Sequence, residues 1–252
     1  MIRAAALLAV LSAGGPADAC PAPAPGLLMH SCWGEARAEL LLVPDEALAP
    51  PEADAERWTV TGAYTGRDTR AGGSPNPVGL FVDGGQVVNQ TLAPMDGILL
   101  IADGQLSLHH RARVPWNGTV VDLSAPSARV RFAREAAADG VSVAQSHLII
   151  VDGRLDVRDR PDAPRFTRRM LFEDAHGFGL WQSAAALTLH DAGAELIDGY
   201  APRMALNLDM GSYDLCIWEN RDESRNCGYV PRRPMQDFSN LLAVTLRRSG
   251  RT

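Results

Sequence analysis

Residues Ala205–Cys216 read ALNLDMGSYDLC, and this stretch decides the prediction of the fold. An almost continuously apolar run ends on the carboxylate of Asp209, and a short turn sequence follows. Such a run is typical of a strand that is covered on both faces. Ligands tend to bind where such strands leave their sheet. We therefore expect Asp209 at the end of a buried strand, held out beside a turn.

The sequence just before this strand has the period of a helix. Thr188 is a suitable N-cap, and Asp191 lies in the first turn, where the helix dipole favours an anion. One face of the predicted helix is formed by apolar and small residues at helical spacing: Leu189, Ala192, Gly193, Leu196, Ile197 and Tyr200. A second, shorter helix over residues 128–138 is left open.

Three stretches upstream each place Asp-Gly between two apolar runs, which is a strong hairpin signal. They read VGLFVDGGQVVN, ILLIADGQLSLH and LIIVDGRLDV, and they predict Asp83, Asp103 and Asp152 as turn residues. A fourth pair of strands is predicted in RRMLFEDAHGFGLWQ, with His176 in its turn. The predicted fold class is α+β, with a large mixed or antiparallel sheet, hairpins and one main covering helix.

Composition excludes several classes of function. The net charge is −6, whereas proteins that bind nucleic acid usually carry a basic face, so no nucleic-acid partner is expected. All basic residues are arginine, which rules out a Schiff-base lysine and a P-loop lysine. No stretch beyond the N-terminus is apolar enough to predict a transmembrane segment.

The N-terminal sequence indicates export. Residues 1–19 combine Arg3, a short apolar run and an Ala-Asp-Ala cleavage site, which predicts a signal peptide. A lipoprotein signal with a lipidated Cys20 is the less favoured alternative. Residues 20–56 are predicted as a loose N-terminal arm and a first strand, and residues 57–252 as the main domain. We expect a periplasmic or extracellular protein.

Export favours disulfides, because oxidising compartments preserve them. The chain has four cysteines: Cys20, Cys32, Cys216 and Cys227. Three pairings are open to them, and the sequence alone does not choose one. The two local pairs, Cys20–Cys32 and Cys216–Cys227, are the simplest expectation.

Four stretches, in order, resemble the phosphodiester glycosidase family, relatives of the enzyme that uncovers mannose 6-phosphate. They are TGAYTG with SPNPVGLFVDGGQVVN, then AQSHLIIVDGRL, TRRMLF, and TLHDAGAELIDGYAPRMALNLDMGS. Together they span roughly residues 58–215 and would make residues 57–252 a domain of this kind. The chain departs from the family pattern at His147-Leu148 and at Met210. The resemblance implies hydrolysis of a glycosyl phosphodiester, with a glycan or a sugar phosphate as the partner.

The resemblance and the chemistry of the reaction suggest Asp209 as the carboxylate that acts at the sugar. Arg168 or Arg169 would bind the phosphate, and because adjacent strand residues point to opposite faces, the other arginine is expected to be solvated. Ser212 would donate to the phosphate or only complete the turn that begins at Gly211. Asp214 could share a site or a cation with Asp209, although solvent exposure is the favoured interpretation.

Three further residues are candidates for substrate binding. Asn207 alternates with Asp209 along the strand, so both side chains should point the same way. Ser146 and His147 are weaker candidates, since a lone histidine at a strand start is more often structural or exposed. The sequence indicates no particular cofactor and leaves a divalent cation open.

Two functions therefore remain open. The first is an exported hydrolase that cleaves a glycosyl phosphodiester bond. The second is a non-catalytic secreted module of the same fold that binds a glycan or a phosphorylated ligand. The departures at Met210 and His147 favour the second function.

Overall fold

The computed structural model describes residues 20–43, 49–68, 74–210, 213–228 and 235–247. The predicted signal peptide, residues 1–19, lies outside the described residues. Two α-helices are described, α1 (Pro126–Ala138) and α2 (Leu189–Tyr200). The strands, in chain order, are β1 (Leu27–His30), β2 (Glu35–Leu42), β3 (Ala55–Thr61), β4 (Thr65–Asp68), β5 (Ser74–Pro77), β6 (Phe81–Asp83), β7 (Gln86–Asn89), β8 (Gly97–Ala102), β9 (Gln105–His110), β10 (Val114–Trp116), β11 (Thr119–Val121), β12 (Ser142–Ser146), β13 (Leu148–Val151), β14 (Arg154–Leu155), β15 (Arg169–Asp174), β16 (Gly177–Gln182), β17 (Met204–Asn207), β18 (Cys216–Glu219), β19 (Ser224–Asn226) and β20 (Asn240–Arg247).

The described strands form three main sheets, and their pairings are antiparallel. The first sheet has the order β1-β16-β15-β17-β13-β14, the second β19-β18-β3-β20-β2 and the third β7-β6-β12-β8-β9. Two separate hairpins, β4-β5 and β10-β11, complete the described sheet structure. The α+β fold class is confirmed. The single large sheet of the sequence interpretation was wrong, because the hairpins are divided between the first and third sheets.

One buried cluster joins all three sheets and forms the centre of the molecule. It includes Leu206 from the first sheet, Val60 and Leu242 from the second, and Phe81 and Leu99 from the third. The outer face of the first sheet is covered by α2, and that of the third sheet by α1. β17 is therefore covered on both faces, as its apolar sequence predicted.

The hairpin predictions are confirmed with one change. Asp103-Gly104 and Asp152-Gly153 form two-residue turns in which all four residues have positive φ, as type I′ turns require. Asp83 instead ends β6, and the turn that follows contains Gly84 and Gly85. Because Gly85 follows Gly84, the two turn residues lie one position further along the chain than predicted. His176 lies, as predicted, in the turn between β15 and β16.

Both helices follow local sequence signals. The Thr188 hydroxyl accepts from the Asp191 amide at 3.0 Å and caps α2 as predicted. The helix that was left open over residues 128–138 is present as α1, with a proline in its first turn, where the missing N–H costs nothing. α1 has 13 residues and α2 has 12, so the two helices are of similar length.

The cysteines pair locally as expected, Cys20 with Cys32 and Cys216 with Cys227. The segment predicted as a loose arm is built into the sheets, since β1 pairs with β16 and β2 pairs with β20. Within the described ranges, no helix has the length and apolar character that crossing a bilayer would need.

Candidate functional site

The end of β17 is the point at which four segments of the chain meet. Three successive backbone amides donate to carbonyls from three different segments: Asn207 to His147 at 2.9 Å, Leu208 to Arg169 at 3.0 Å and Asp209 to Gly62 at 2.9 Å. The loop after β3, the junction between β12 and β13, and the start of β15 are thereby fixed around Asp209. The expectation that Asp209 stands where a buried strand leaves its sheet is met.

The loop after β3 depends on close backbone packing. A Cβ atom at Gly62 would lie 2.3 Å from Asn240 Oδ1, so a side chain at this position would displace Asn240. The Asn240 side chain in turn accepts from the Ala63 amide at 2.7 Å and donates to the Ala63 carbonyl at 3.0 Å. These contacts hold the turn that presents Tyr64 and Thr65 to Asp209.

Asp209 is a buried carboxyl group, with 5% of the residue exposed. The Thr65 amide donates to Asp209 Oδ2 at 2.8 Å. Loss of solvent raises the pKa of Asp209 to about 7, although hydrogen bonds from Thr65 and from the Met210 amide act in the opposite direction. A carboxyl group with this pKa exchanges its proton near neutral pH, which suits acid–base chemistry.

Tyr64 is a site residue that the sequence interpretation missed. Its hydroxyl accepts from Asn207 Nδ2 at 2.5 Å. Burial, followed by the Asp209 charge, raises the pKa of Tyr64 to about 12, while the Arg168 charge lowers it. Tyr64 is therefore within electrostatic reach of both Asp209 and Arg168. Its place directly after the turn that ends β3 was the available signal.

Arg168 lies before β15, and 7% of the residue is exposed. Its Nε donates to the Leu187 carbonyl at 2.9 Å and its Nη2 to the Pro164 carbonyl at 2.8 Å. Its guanidinium carbon is 5.1 Å from the ring centroid of Phe166, which is 48% exposed. Arg168 is thus held in place by two carbonyls at the edge of the site, next to the surface.

The expectation that one of the two arginines would be solvated was wrong. Arg169 is fully buried, and its Nη2 donates to Asp214 Oδ1 at 2.8 Å. Both faces of the first sheet are covered, so neither direction from β15 leads to solvent. The expected solvent exposure of Asp214 was also wrong, because 4% of that residue is exposed. The Arg169–Asp214 pair links the first sheet to the segment that leads into β18.

The three predicted binding residues lie together near the end of β17. Ser146 donates to the Asn207 carbonyl at 2.5 Å, and both residues are buried. The half-buried His147 ring packs edge-on against Tyr64, with 5.8 Å between centroids. Burial lowers the pKa of His147, and the Asp96 charge raises it. Asn207 Oδ1 is buried and has no hydrogen-bond partner among the described residues.

Two predicted site residues, Gly211 and Ser212, lie outside the described residues. Met210, just before them, is half-buried. In the described ranges, one group of three potential metal ligands comes close together. It consists of Cys20, His30 and Cys32, and its two sulfurs are bonded to each other. The carboxylate of Asp214, which was considered as a partner for a cation at Asp209, is instead paired with Arg169.

No family model and no curated protein sequence matches this chain. Two solved structures are similar to it at the level of the fold. One is the catalytic domain of zebrafish N-acetylglucosamine-1-phosphodiester alpha-N-acetylglucosaminidase, auto-inhibited by its pro-peptide, with a TM-score of 0.44 and 11% identity over 79% of this chain and 64% of that one. The other is a hypothetical protein from Synechocystis, with a TM-score of 0.41 and 13% identity over 84% of this chain and 57% of that one. The chain therefore spans about 64% and 57% of the two structures that it resembles. Similarity this weak assigns neither a family nor an activity.

Proposed function

We propose that this chain is an exported hydrolase that cleaves a glycosyl phosphodiester bond in a glycan or glycopolymer. The observation that carries the proposal is a buried carboxyl group, Asp209, whose pKa is raised to about 7 at the meeting point of four segments. Those four segments lie within the stretches of sequence that resemble the phosphodiester glycosidase family. Export is supported by the N-terminal sequence and by two disulfides.

Asp209 would act in its ionised form at the sugar. Phosphate leaves readily without an acid, so the reaction needs a carboxylate that attacks the anomeric carbon, activates water or stabilises a cationic transition state. Each of these roles requires the ionised carboxylate. Activity is then expected to rise with pH through about 7, following the ionisation of Asp209.

Arg168 is the better of the two arginines for the phosphate. A guanidinium has five N–H donors, and the bonds to Leu187 and Pro164 use Nε and Nη2. Arg169 is engaged by Asp214 and Gln182 inside the protein. We therefore assign the phosphate to Arg168, assisted by the Ser212 hydroxyl.

Tyr64 and Asn207 would orient the sugar. They are joined by a hydrogen bond, and both belong to the segments around Asp209. The buried Oδ1 of Asn207, which no described group satisfies, is the acceptor that we assign to a sugar hydroxyl. His147, packed on Tyr64, would support the position of that ring.

The test is hydrolysis of a panel of sugar phosphodiesters by the oxidised protein, with added divalent cations and with a chelator. We expect turnover by the wild type and a loss of about 10²–10⁴-fold in Asp209→Asn. The matched control is Asp152→Asn, because Asp152 is an exposed turn residue and asparagine tolerates its positive φ. This control should retain full activity. Absence of turnover by folded wild-type protein across the panel would overturn the proposal.

A non-catalytic binding module is the second candidate. It is favoured by the low exposure of Asp209 and Asn207, 5% and 1%, which limits how closely a substrate can approach the carboxyl group. Calorimetric binding of a sugar phosphodiester without turnover would support this function, and hydrolysis that depends on Asp209 would exclude it.

A further inference from the structure

The Cys20–Cys32 disulfide lies beside a histidine and an aspartate that no step of the proposed hydrolysis uses. His30 ends β1, and its Nδ1 lies 2.7 Å from Cys32 Sγ. On the other side of the ring, His30 Nε2 lies 3.1 Å from Asp174 Oδ2. Sulfur, imidazole and carboxylate thus form a continuous line of contacts, the arrangement that activates a thiol in nucleophilic catalysis.

The position of His30 is tightly defined. The ring is fully buried, and a Cβ atom at Gly179 would come within 3.0 Å of His30 Cδ2. The Cys32 amide donates to His30 Nδ1 at 3.2 Å, so Nδ1 carries the lone pair and Nε2 the proton that faces Asp174. The lone pair of Nδ1, which accepts from the Cys32 amide, therefore also faces the Cys32 end of the disulfide.

The sulfur at the other end of the disulfide belongs to Cys20, which solvent can reach. Cys20 is exposed, whereas Cys32 is half-buried. The Trp33 indole donates to the Pro21 carbonyl at 2.7 Å, which holds the chain next to Cys20 in place. That bond joins the residue after Cys20 to the residue after Cys32 by a contact other than the disulfide.

We propose that Cys20 and Cys32 form a thiol–disulfide exchange site in which His30, positioned by Asp174, takes up the proton that accompanies opening. An external thiol ionises in water and its sulfur bonds to Cys20 Sγ, while His30 Nδ1 takes up one proton from water. The bond between the two protein sulfurs breaks, and its electron pair goes to Cys32, which becomes a thiolate paired with the imidazolium. A second external thiol then releases Cys20 as a thiol. The external thiols are oxidised to their disulfide, and the protein pair is reduced by two electrons.

The Asp174 charge favours the imidazolium of this ion pair, whereas burial, which has the larger effect, opposes it. Burial lowers the pKa of His30, while the Asp174 charge and hydrogen bond raise it and the His176 charge lowers it. An adjoining groove has a volume of about 530 Å³, and its charged lining residues are Glu35, Glu173, Asp174, His176 and Arg203. In the described part of the chain, this groove and the disulfide share the 3-10 helix at Ser31–Trp33.

The second disulfide provides a reference within the same molecule. Cys216 is fully buried in β18, and among the described residues no histidine hydrogen-bonds to either sulfur of Cys216–Cys227. If burial and a neighbouring imidazole control exchange, the two pairs should differ strongly in rate.

The experiment treats the oxidised full chain with reduced glutathione in the presence of a chelator, and then with iodoacetamide. Peptide mass spectrometry reports the opening of each disulfide. At pH 7 we expect Cys20–Cys32 to open on the order of tenfold faster than Cys216–Cys227 or more. After reduction, the rate of Cys32 alkylation should follow an apparent pKa at least a unit below the ordinary value of about 8.5.

The variant Asp174→Asn isolates the positioning role. Asparagine keeps the Oδ1 acceptor for the amides of His176 and Gly177, which Asp174 provides at 2.7 and 3.0 Å. We expect Cys20–Cys32 to open several-fold more slowly and the apparent pKa of Cys32 to rise, with Cys216–Cys227 unchanged. Asp152→Asn is the control and should alter neither quantity.

Equal rates for the two disulfides, or an ordinary pH profile for Cys32 that Asp174→Asn leaves in place, would overturn the proposal. If circular dichroism shows that Asp174→Asn does not fold, the pH profile of Cys32 alkylation in the wild type decides the matter, because exposure alone does not lower the pKa of a thiol.

Discussion

Asp209 and Asp214 lie five positions apart in sequence and are equally buried, with 5% and 4% of each residue exposed, yet their partners differ. Asp214 lies 2.8 Å from the guanidinium of Arg169. Asp209 is bound by amide and hydroxyl groups from Thr65 and by the Met210 amide, and its pKa is raised to about 7. Burial is nearly the same for the two carboxyl groups, and they differ in the groups that bind them.

The difference separates a structural acid from a candidate chemical one. Removing either partner of a buried carboxylate–arginine pair leaves an uncompensated charge. A buried carboxyl group bound by neutral donors can hold or release its proton near neutral pH, as acid–base chemistry requires. At the end of β17, the folded protein contains a carboxyl group of this second kind, although burying it lowers stability when it is ionised.

The largest expected effect on stability comes from breaking the structural pair. Arg169→Met would leave Asp214 buried without its cation, which should lower the free energy of unfolding by about 3–5 kcal/mol. Urea denaturation at pH 7 measures this change.

Arg165→Met is the matched control for that experiment. Arg165 also forms an ion pair at 2.8 Å, with Asp191, but the two side chains are 58% and 35% exposed. Solvent screens such a pair, so the loss should be below about 1 kcal/mol. Equal losses of unfolding free energy in the two variants would contradict the expected difference between buried and exposed ion pairs.

The sequence predicts the strands, the helix and the turns around this site better than it predicts the charges and ion pairs within the site. The apolar residues of β17, the Thr188 cap and the Asp-Gly turns are local signals, and each produced the element that it predicted. Local signals did not reveal that the hairpins divide among separate sheets, because sheet membership depends on contacts between distant residues.

The adjacent arginines show the same limit. Alternation along a strand indicates opposite directions for Arg168 and Arg169, but it does not say what covers each face. α2 and the central core cover both faces, so both arginines are buried. The pairing of Arg169 with Asp214 joins residues 45 positions apart, and no sequence pattern encodes it. Tyr64 was overlooked for the same reason, since its partners are Asn207 in β17 and Arg168, the residue before β15.

The second-largest expected effect on stability comes from Asp209, and it is a gain in the free energy of unfolding instead of a loss. Its pKa in the folded protein is above its ordinary value of 3.8, so the folded state binds the proton more tightly than the unfolded state does. Stability therefore falls as the pH rises from about 4 to about 7. Asp209→Asn removes this penalty and should raise the free energy of unfolding at pH 8 by about 2–4 kcal/mol.

Measurements at two pH values distinguish this explanation from a general packing change. At pH 4, where Asp209 is protonated in the folded protein, the variant and the wild type should unfold at nearly the same urea concentration. A gain of equal size at pH 4 and pH 8, or a loss at pH 8, would contradict the raised pKa.

The smallest expected effect tests the role of the uncharged groups that donate hydrogen bonds to Asp209. Thr65→Val removes the hydroxyl that donates to Asp209 and keeps the backbone amide. Losing one hydrogen bond to the charged form should raise the pKa of Asp209 by about one further unit. The pH dependence of the Asp209 carboxyl signal in nuclear magnetic resonance measures the shift.

Ser239→Ala serves as its control. Ser239 Oγ lies 3.0 Å from Thr65 Oγ1, so this variant alters the surroundings of Thr65 without removing either donor to Asp209. The pKa of Asp209 should stay at its wild-type value. A similar rise in both variants would mean that the local packing, and not the Thr65 hydroxyl, holds the charged form.

The most direct measurement is a titration of the wild-type protein labelled with ¹³C in its aspartate carboxyl groups. The signal of Asp209 is assigned by its absence in Asp209→Asn. We expect this signal to shift with a midpoint near pH 7. A midpoint near the ordinary aspartate value of about 3.9 would contradict the account, because Asp209 would then be as fully charged at neutral pH as any surface carboxylate.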